Sequence, residues 1–347
     1  MSSGYFHRVS AQTPTRFWIN NVTREEANLA IDAGAVGCTQ NPSYTYKLMK
    51  MDGEKDYVFQ LLKDIMAEEK DDTEALVRLQ KALVTNIATI FLKQFEKSRG
   101  RLGYVSIQGD PLNEDVDTIV RHARINRKNA PPNVMAKIPA TPDGLKAMAI
   151  LIPEGVPINA TEIFSVRQTL DVCEVYREAS KDMAYPPVIY YSHIAGIFDE
   201  YLAKYVAKKN IDISPDSLRQ AGLAVARKIE NVLADKGYLD VGYISGGARG
   251  LHHFTDWVGS RACVTINWLG TAKDLIDLNP PVIQYFRGPT PDLVLEELIE
   301  KVDEFRKAFF THAIEPHEYE EYGPVELFRS MFVDSWKGAL SEIAKRR

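Results

Sequence analysis

The chemistry that this sequence can support centres on one lysine in an apolar run. The stretch VMAKIPATPDG, residues 134–144, places Lys137 among apolar residues, just before a proline, a threonine and the start of a helical pattern. Burial with few counter-charges lowers the pKa of a lysine, and the resulting neutral amine attacks carbonyl groups. The alternative is a lysine that extends from a strand end to water. The first interpretation predicts Schiff-base chemistry at Lys137.

Short β-rich runs, each bounded by turn or cap residues, are the elements that must position this lysine. Eight of them occur: RFWIN (16–20), AVGCT (35–39), YVSIQ (104–108), VMAKI (134–138), VPINA (156–160), VIYYS (188–192), DVGYIS (240–245) and ACVTI (262–266). Most are separated by helical patterns, such as TREEANLAIDAG with Thr23 as its N-cap. Strands that alternate with helices pair in parallel, so the fold class is α/β. We expect a closed (β/α)8 TIM barrel, with an open doubly wound sheet as the alternative.

The spacing of the patterns also predicts the domain organisation. We expect a single barrel domain over residues 1–347, because the length suits one large barrel. About 65 residues of mainly helical pattern separate the second and third runs, which predicts a helical insertion at about 43–100. A C-terminal helical extension is predicted at about 290–347. The apolar residues of its last segment indicate a docking face, so a homo-oligomer is a plausible assembly.

Composition narrows the classes of partner. The net charge is -5, with 45% hydrophobic and 26% charged residues, and no basic run indicates nucleic-acid binding. The amino-terminal residues do not resemble a secretory signal, and no uninterrupted apolar run suggests a membrane span. We therefore expect a cytoplasmic protein without nucleic-acid or membrane partners. Three widely spaced cysteines suggest neither a disulfide framework nor a zinc site.

Polar residues stand at the predicted carboxyl ends of the strands, where a (β/α)8 barrel builds its active site. Residues two apart on a strand face the same side, so Asn159 points with Thr161 and Gln108 with Ser106. The full set is Asn20, Asn21, Thr39, Gln40, Asn41, Gln108, Lys137, Asn159, Thr161, Ser192, His193, Ser245, Arg249, Thr265 and Asn267. One such residue is commonly a turn or helix cap, whereas the whole set favours a polar mouth around Lys137.

Several of these segments resemble the transaldolase family of class I aldolase-type barrels, over roughly residues 15 to 275. The matching motifs are GCTQNPS, VMAKIPATPDG, INATEIFSVRQ, YYSHIAGIFDE and GGARG, in order and with similar spacing. The resemblance implies that Lys137 forms the Schiff base with a ketose. It also implies that Asn41, Asn159 and Ser192 hold substrate hydroxyls and that Thr161 helps to place the catalytic water. No metal and no cofactor are implied.

The first and third strands depart from the family pattern. Asn20 stands where the family's acid/base aspartate is expected, and an amide cannot exchange a substrate proton. General acid/base catalysis contributes roughly a hundred- to ten-thousandfold in rate, so the change is serious. Gln108 replaces a glutamate, as in the shorter sugar-phosphate aldolases of the same superfamily. His193, next to Ser192, is the histidine within a strand-end motif and the candidate replacement acid, although a structural histidine is the alternative.

The phosphate-binding positions depart as well. Ile197 replaces an arginine that contacts substrate phosphate in the family, and Gly247 replaces a serine, while Arg249 remains. Loss of a bidentate donor weakens anion binding. We therefore expect a non-standard substrate, such as an unphosphorylated ketose, a keto-cyclitol or a sugar acid.

The sequence thus predicts a transaldolase-like transferase that moves a ketol fragment from a ketose or keto-cyclitol to an aldehyde acceptor. Two alternatives remain. A Schiff-base aldolase or lyase would release the fragment after protonation and hydrolysis, an outcome that Gln108 allows. A catalytically weak sugar-binding protein of the same fold is the third, and Asn20 is its chief support.

Overall fold

The computed structural model describes residues 4–347 and contains a closed barrel of eight parallel strands in chain order. The closed barrel is confirmed, and the open doubly wound sheet is wrong. All eight predicted runs form strands. The strands are β1 (Arg16–Asn20), β2 (Ala35–Gln40), β3 (Val105–Gln108), β4 (Val134–Pro139), β5 (Ile158–Ile163), β6 (Ile189–His193), β7 (Gly242–Ser245) and β8 (Cys263–Asn267).

Helices surround the barrel and begin where the sequence offers cap residues. Thr23 caps the second helix in a capping box with Glu26, and Gly34 ends that helix with φ at 110°, as its missing Cβ permits. The helices up to β7 are α1 (Tyr5–Gln12), α2 (Arg24–Ala33), α3 (Ser43–Lys50), α4 (Lys55–Glu68), α5 (Asp72–Lys97), α6 (Val116–Arg127), α7 (Pro142–Leu151), α8 (Val166–Ser180), α9 (Ala195–Lys209) and α10 (Pro215–Lys236). Those after β7 are α11 (His252–Thr255), α12 (Lys273–Leu278), α13 (Asp292–Lys301), α14 (Asp303–Phe309) and α15 (Gly323–Ala344).

The long segment between β2 and β3 is helical and forms part of the barrel wall. It carries α3, α4 and α5, and α5 packs on α2, α6 and both flanking strands. By length and hydropathy α5 is apolar enough to cross a membrane, yet residues such as Leu79, Leu83, Ile87 and Phe91 are buried in the protein core. Its apolar character is therefore explained by packing within the chain.

The last helix, α15, returns to the carboxyl end of the barrel. It contacts α3, α5, α9 and strand β5, and it buries Phe328, Phe332 and Trp336. The apolar residues that indicated a docking face therefore pack within the same chain. Self-association remains a prediction.

Alternation along the strands gives the barrel interior an apolar floor and a polar top. Trp18, Tyr104, Met135 and Tyr190 form one buried cluster with Ile244 and Cys263 at the floor. Two residues further along the same strands, the inward-facing side chains are polar. These residues are Asn20, Ser106, Lys137 and Ser192. The floor closes the barrel to water, so the polar layer above it is reached from the carboxyl ends of the strands.

Gly37 on β2 is the position where the floor leaves no room for a side chain. A Cβ built on Gly37 would lie 2.2 Å from the Trp18 ring. We expect Gly37→Ala to lower the free energy of unfolding by about 2 kcal/mol or more, because overpacking forces a rigid indole and the backbone to shift. Denaturant titration of the two proteins measures the change.

Gly53 provides the matched control, since its Cβ would meet no atom within 4 Å. Gly53→Ala should change the free energy of unfolding by less than about 0.5 kcal/mol. Equal effects of the two substitutions would contradict the packing described for the barrel floor.

Candidate active site

Lys137 lies on β4 in the polar layer and is only 6% exposed. Its Nζ donates to Asn41 Oδ1 at 2.5 Å and lies 5.5 and 5.9 Å from the ring centroids of Phe328 and Phe332. Burial lowers the pKa of Lys137 to about 8, and the charges of Glu162 and Glu114 oppose that shift. A substantial fraction of the amine is therefore neutral and nucleophilic near neutral pH.

A network of amides and hydroxyls lies on the β1, β2 and β8 side of Lys137. Asn20 Oδ1 accepts from Thr39 Oγ1 at 2.8 Å and from Asn41 Nδ2 at 3.2 Å. Asn20 Nδ2 donates to Asn267 Oδ1 at 2.9 Å, and the hydroxyls of Thr39 and Thr265 are 2.8 Å apart. Asn20 thus orients Asn41, which in turn contacts the lysine. Its amide has no proton to exchange with a substrate.

Two further predicted binding residues meet on the opposite side of the barrel. Ser192 Oγ donates to Asn159 Oδ1 at 2.7 Å, and Asn159 Nδ2 donates to Ser106 Oγ at 3.1 Å. Asn159 is in register with Lys137, on the neighbouring strand. Thr161, one step further along β5, is fully buried, and its hydroxyl has no hydrogen-bond partner within the described chain. Of these residues, Ser192 lines the cavity that contains Lys137.

Gln108 is in register with Lys137 on β3 and lies beside carboxylates that the sequence analysis missed. Its Nε2 donates to Glu162 Oε1 at 3.3 Å and to Glu114 Oε1 at 3.2 Å. Arg329 of α15 completes the group, with its Nε 2.9 Å from Glu114 Oε2. The sequence does show Glu162, as an acidic residue inside the strand pattern INATEI. Strand alternation, however, predicts that its side chain faces away from that of Thr161 and out of the barrel.

Arg249 reaches the site but is already paired. Its Nε donates to Glu200 Oε2 at 2.6 Å, and its Nη1 donates to the carbonyls of Gly247 and Ala248. Ile197 presents an aliphatic surface to the same part of the cavity. The region where the family resemblance places a phosphate is thus apolar or charge-neutralised.

Four predicted residues, His193, Gln108, Asn159 and Thr161, do not line the cavity that contains Lys137, and His193 also faces away from the barrel interior. Ser192 and Tyr190 face the barrel interior, so the alternation of β6 turns His193 toward the surrounding helices. The imidazole is fully buried, without a hydrogen-bond partner among the described residues, and burial lowers its pKa to about 3. A neutral imidazole outside the cavity is poorly placed to replace the missing acid.

Lys137, Asn20, Asn41, Ser192 and Arg249 line a common cavity of about 110 Å³. Its other walls include Ile194, Ile197, Gly246, Gly247, Thr265 and Asn267. Phe328, Met331 and Phe332 of α15 cover it from above. The arrangement is a small chamber with an amine, several hydroxyl-binding groups and an apolar roof.

Within residues 4–347, a group of possible metal ligands occurs at Asp199, His252 and His253, whose donor atoms lie within 4.8 Å of one another. His253 Nδ1 accepts from the backbone N–H of Arg249, so its Nε2 carries the proton and donates to Asp199 Oδ2 at 3.1 Å. Asp199 also accepts from the N–H of Gly222. These bonds fix the loop that carries Arg249, and they occupy both ring nitrogens of His253.

Comparison with known proteins identifies the family of this chain. A family model described as Transaldolase/Fructose-6-phosphate aldolase matches residues 17–306, and the chain belongs to that family. A protein named Transaldolase from Saccharopolyspora erythraea is 32% identical over 167 residues, which are 46% of this chain and 44% of the relative. Another so named, from Neisseria meningitidis serogroup C, is 29% identical over 197 residues, 53% of this chain and 54% of the relative. The chain thus spans about half the length of the curated relatives it matches.

The depressed pKa of Lys137 predicts the pH dependence of its reactivity. Only the neutral amine reacts with acetic anhydride, so trace acetylation of Lys137 should reach half of its maximal rate near pH 8. Peptide mass spectrometry after short exposures at a series of pH values measures this rate. The same peptide in the denatured protein should reach that point near 10.5, the ordinary pKa of a lysine. Coincident profiles would show that the fold does not perturb the lysine.

Proposed function

We propose that the protein is a transaldolase-like transferase that forms a Schiff base between Lys137 and a ketose. The observation that carries the proposal is a buried lysine of lowered pKa, surrounded by amides and hydroxyls at the carboxyl end of a closed barrel. Family membership supports the same chemistry. The whole activity is a proposal, because the curated relatives align over about half of their length.

The reaction begins with attack of the Lys137 amine on the ketose carbonyl, and loss of water gives a protonated imine. The iminium accepts the electron pair released when the neighbouring carbon–carbon bond breaks, which leaves an enamine on the lysine. An aldehyde acceptor then takes the enamine carbon, and hydrolysis frees the new ketose. Since the iminium is itself the electron sink, these steps need no added cofactor.

The residues around Lys137 divide into binding and positioning roles. Asn41 and Ser192 line the chamber and bind substrate hydroxyls, and Asn159 supports Ser192 through their hydrogen bond and is the third proposed binding residue. Asn20 holds Asn41 in place through its side-chain oxygen. We assign to Thr161 and Gln108 the orientation of the water that leaves and returns, because the Thr161 hydroxyl has no partner among the described residues and Gln108 is in register with Lys137.

The substrate is a non-standard one, either an unphosphorylated ketose or a keto-cyclitol. Arg249 already pairs with Glu200, and Ile197 occupies the neighbouring wall, so a phosphate would find little free positive charge. A small chamber roofed by Phe328 and Phe332 favours a compact, neutral polyol. The cytoplasm, where phosphorylated and free sugars coexist, is the location that we propose.

Borohydride trapping tests the imine. Incubation with dihydroxyacetone, fructose, fructose 6-phosphate and a keto-inositol, each with borohydride, should give a reduced adduct on Lys137 with at least one unphosphorylated member. Lys137→Arg should abolish the adduct while it keeps the positive charge, because guanidinium does not lose its proton in proteins. Mass spectrometry of the peptide around residue 137 identifies the product.

The products formed from the trapped ketose decide between the proposed transferase and its alternatives. A new ketose that appears only with an aldehyde acceptor supports transfer, whereas release of the free fragment indicates the aldolase or lyase that Gln108 permits. If the folded protein binds the sugars but forms no adduct, Schiff-base chemistry is refuted. The remaining hypothesis is then the catalytically weak sugar-binding protein.

The pairing of Arg249 predicts how phosphate tolerance can be raised. Glu200→Gln removes the carboxylate that neutralises Arg249, so trapping of fructose 6-phosphate should need up to about tenfold less sugar, with little change for fructose. Glu178→Gln is a control, since Glu178 forms a comparable ion pair with Lys181 on the surface of α8. A similar gain in both variants, or a gain for both sugars, would contradict the assignment of Arg249.

A further inference from the structure

Glu162 is a buried acid that no motif assigns, and its backbone is strained. It follows Thr161 on β5, is fully buried and has a φ of 61°, a left-handed conformation that costs a glutamate roughly 1–3 kcal/mol. The pairing of β5 with β6 is irregular at this point, between Ala160 and Ile163. Such strain persists where the surroundings hold the residue in place, and it is concentrated at functional sites.

The strained conformation carries the Glu162 side chain across the end of β4. Glu162 stands on β5 and accepts from Gln108 on β3, while β4 lies between these strands and carries Lys137. Gln108 is in register with Lys137, and Thr161 is in register with Pro139 two residues further along β4. The Glu162 carboxylate is therefore held at the end of the strand that carries the reactive amine.

The two glutamates outnumber the cations around them when Lys137 is neutral, since Arg329 is then the one cation that acts on Glu162. Glu162 and Glu114 flank the same Gln108 amide, and Arg329 provides one cation, with Nη2 3.6 Å from Glu162 Oε2. Burial raises the pKa of both carboxyls, and mutual repulsion raises that of Glu114 further. The raised pKa of both carboxyls favours retention of a proton by the pair, which would make one member an acid and the other a base.

A second, smaller cavity lies between β3, β4 and α6, next to Glu114. It has a volume of about 20 Å³ and is lined by residues that include Gln108, Glu114 and Lys137. That is enough for one water molecule, and the polar lining supplies the partners that such a water requires. Such a water would lie next to Glu114 and Gln108, and Gln108 links that position to Glu162.

We propose that Glu162, paired with Glu114 through Gln108, is the general acid and base that serves the Lys137 Schiff base. This inference rests on the proposed function. In the dehydration step, the protonated carboxyl gives its proton to the hydroxyl of the lysine–substrate carbinolamine. The carbon–oxygen bond breaks, water leaves, the nitrogen lone pair forms the C=N bond and the carboxylate remains. In hydrolysis the carboxylate takes a proton back from the attacking water.

The alternative role for this cluster is structural, since Arg329 ties α15 to the barrel through the same carboxylates. A purely structural role predicts altered stability but no change in the pH dependence of imine formation. Glu342 provides a control for the structural role. It lies on α15, outside the Glu162 cluster, and its ion pair with Lys50 also ties α15 to α3.

The test compares Glu162→Gln with the unmodified protein in the single-turnover rate of adduct trapping, using the ketose that traps best. General acid catalysis contributes about a hundred- to ten-thousandfold, so the variant should be at least about a hundredfold slower. The rate in the unmodified protein should rise with pH as Lys137 loses its proton and fall as the carboxyl loses its own. Glu162→Gln should keep the rise and lose the fall.

Glu162→Asn is a second variant, because asparagine adopts the left-handed conformation readily, and it should show the same loss. Glu342→Gln should trap at the unmodified rate. Equal rates and pH profiles for Glu162→Gln and the unmodified protein would overturn the assignment of Glu162 while the Schiff base stands. An equal loss in Glu342→Gln would assign the effect to α15 packing instead. Absence of any adduct in the unmodified protein would overturn the proposed function and this inference together.

Discussion

The burial of the Lys137 ammonium group is the constraint on which the rest of the site depends. Desolvation favours the neutral amine, and a direct carboxylate contact would reverse that effect by stabilising the cation. The structure instead gives Nζ one amide oxygen, from Asn41, and two aromatic rings, while Glu114 and Glu162 accept hydrogen bonds from Gln108. Partners of this strength keep the amine in place and leave its pKa near 8. The low pKa of this nucleophile is thus a consequence of the uncharged lining that surrounds it.

The helix α15 connects that constraint to the end of the chain. One turn of it presents Phe328, Met331 and Phe332 to the chamber, while Arg329 on the neighbouring face meets Glu114 and Glu162. Residues three and four apart on a helix share a face, so a single helix supplies an apolar roof and a cation to adjacent regions. By excluding water, the roof maintains the desolvation that lowers the pKa of the lysine. The C-terminal segment is therefore part of the site.

Much of this arrangement could be predicted from local sequence patterns. The eight strands, the capped helix after Thr23 and the interior facing of Asn159, Thr161 and Lys137 follow from periodicity and cap chemistry. Two features could not be read in the same way. The left-handed turn at Glu162 breaks the alternation that a sequence pattern assumes, and the return of α15 to the barrel mouth is a tertiary contact over a long separation. His193 was a weaker prediction, because the facing of Ser192 already turned it outward.

The carboxylates of Glu114 and Glu162 provide a reason for an uncharged asparagine at position 20. A carboxylate on β1 would stand near Asn41, where the present amide accepts hydrogen bonds from Thr39 and Asn41 without a charge. A charge there would add to those of Glu114 and Glu162, which already act on Lys137. Three acids around one lysine would raise its pKa and reduce the neutral amine that attacks the ketose. An uncharged residue on β1 is therefore consistent with proton transfer from the β3 and β5 side, where Gln108 holds the carboxyl pair.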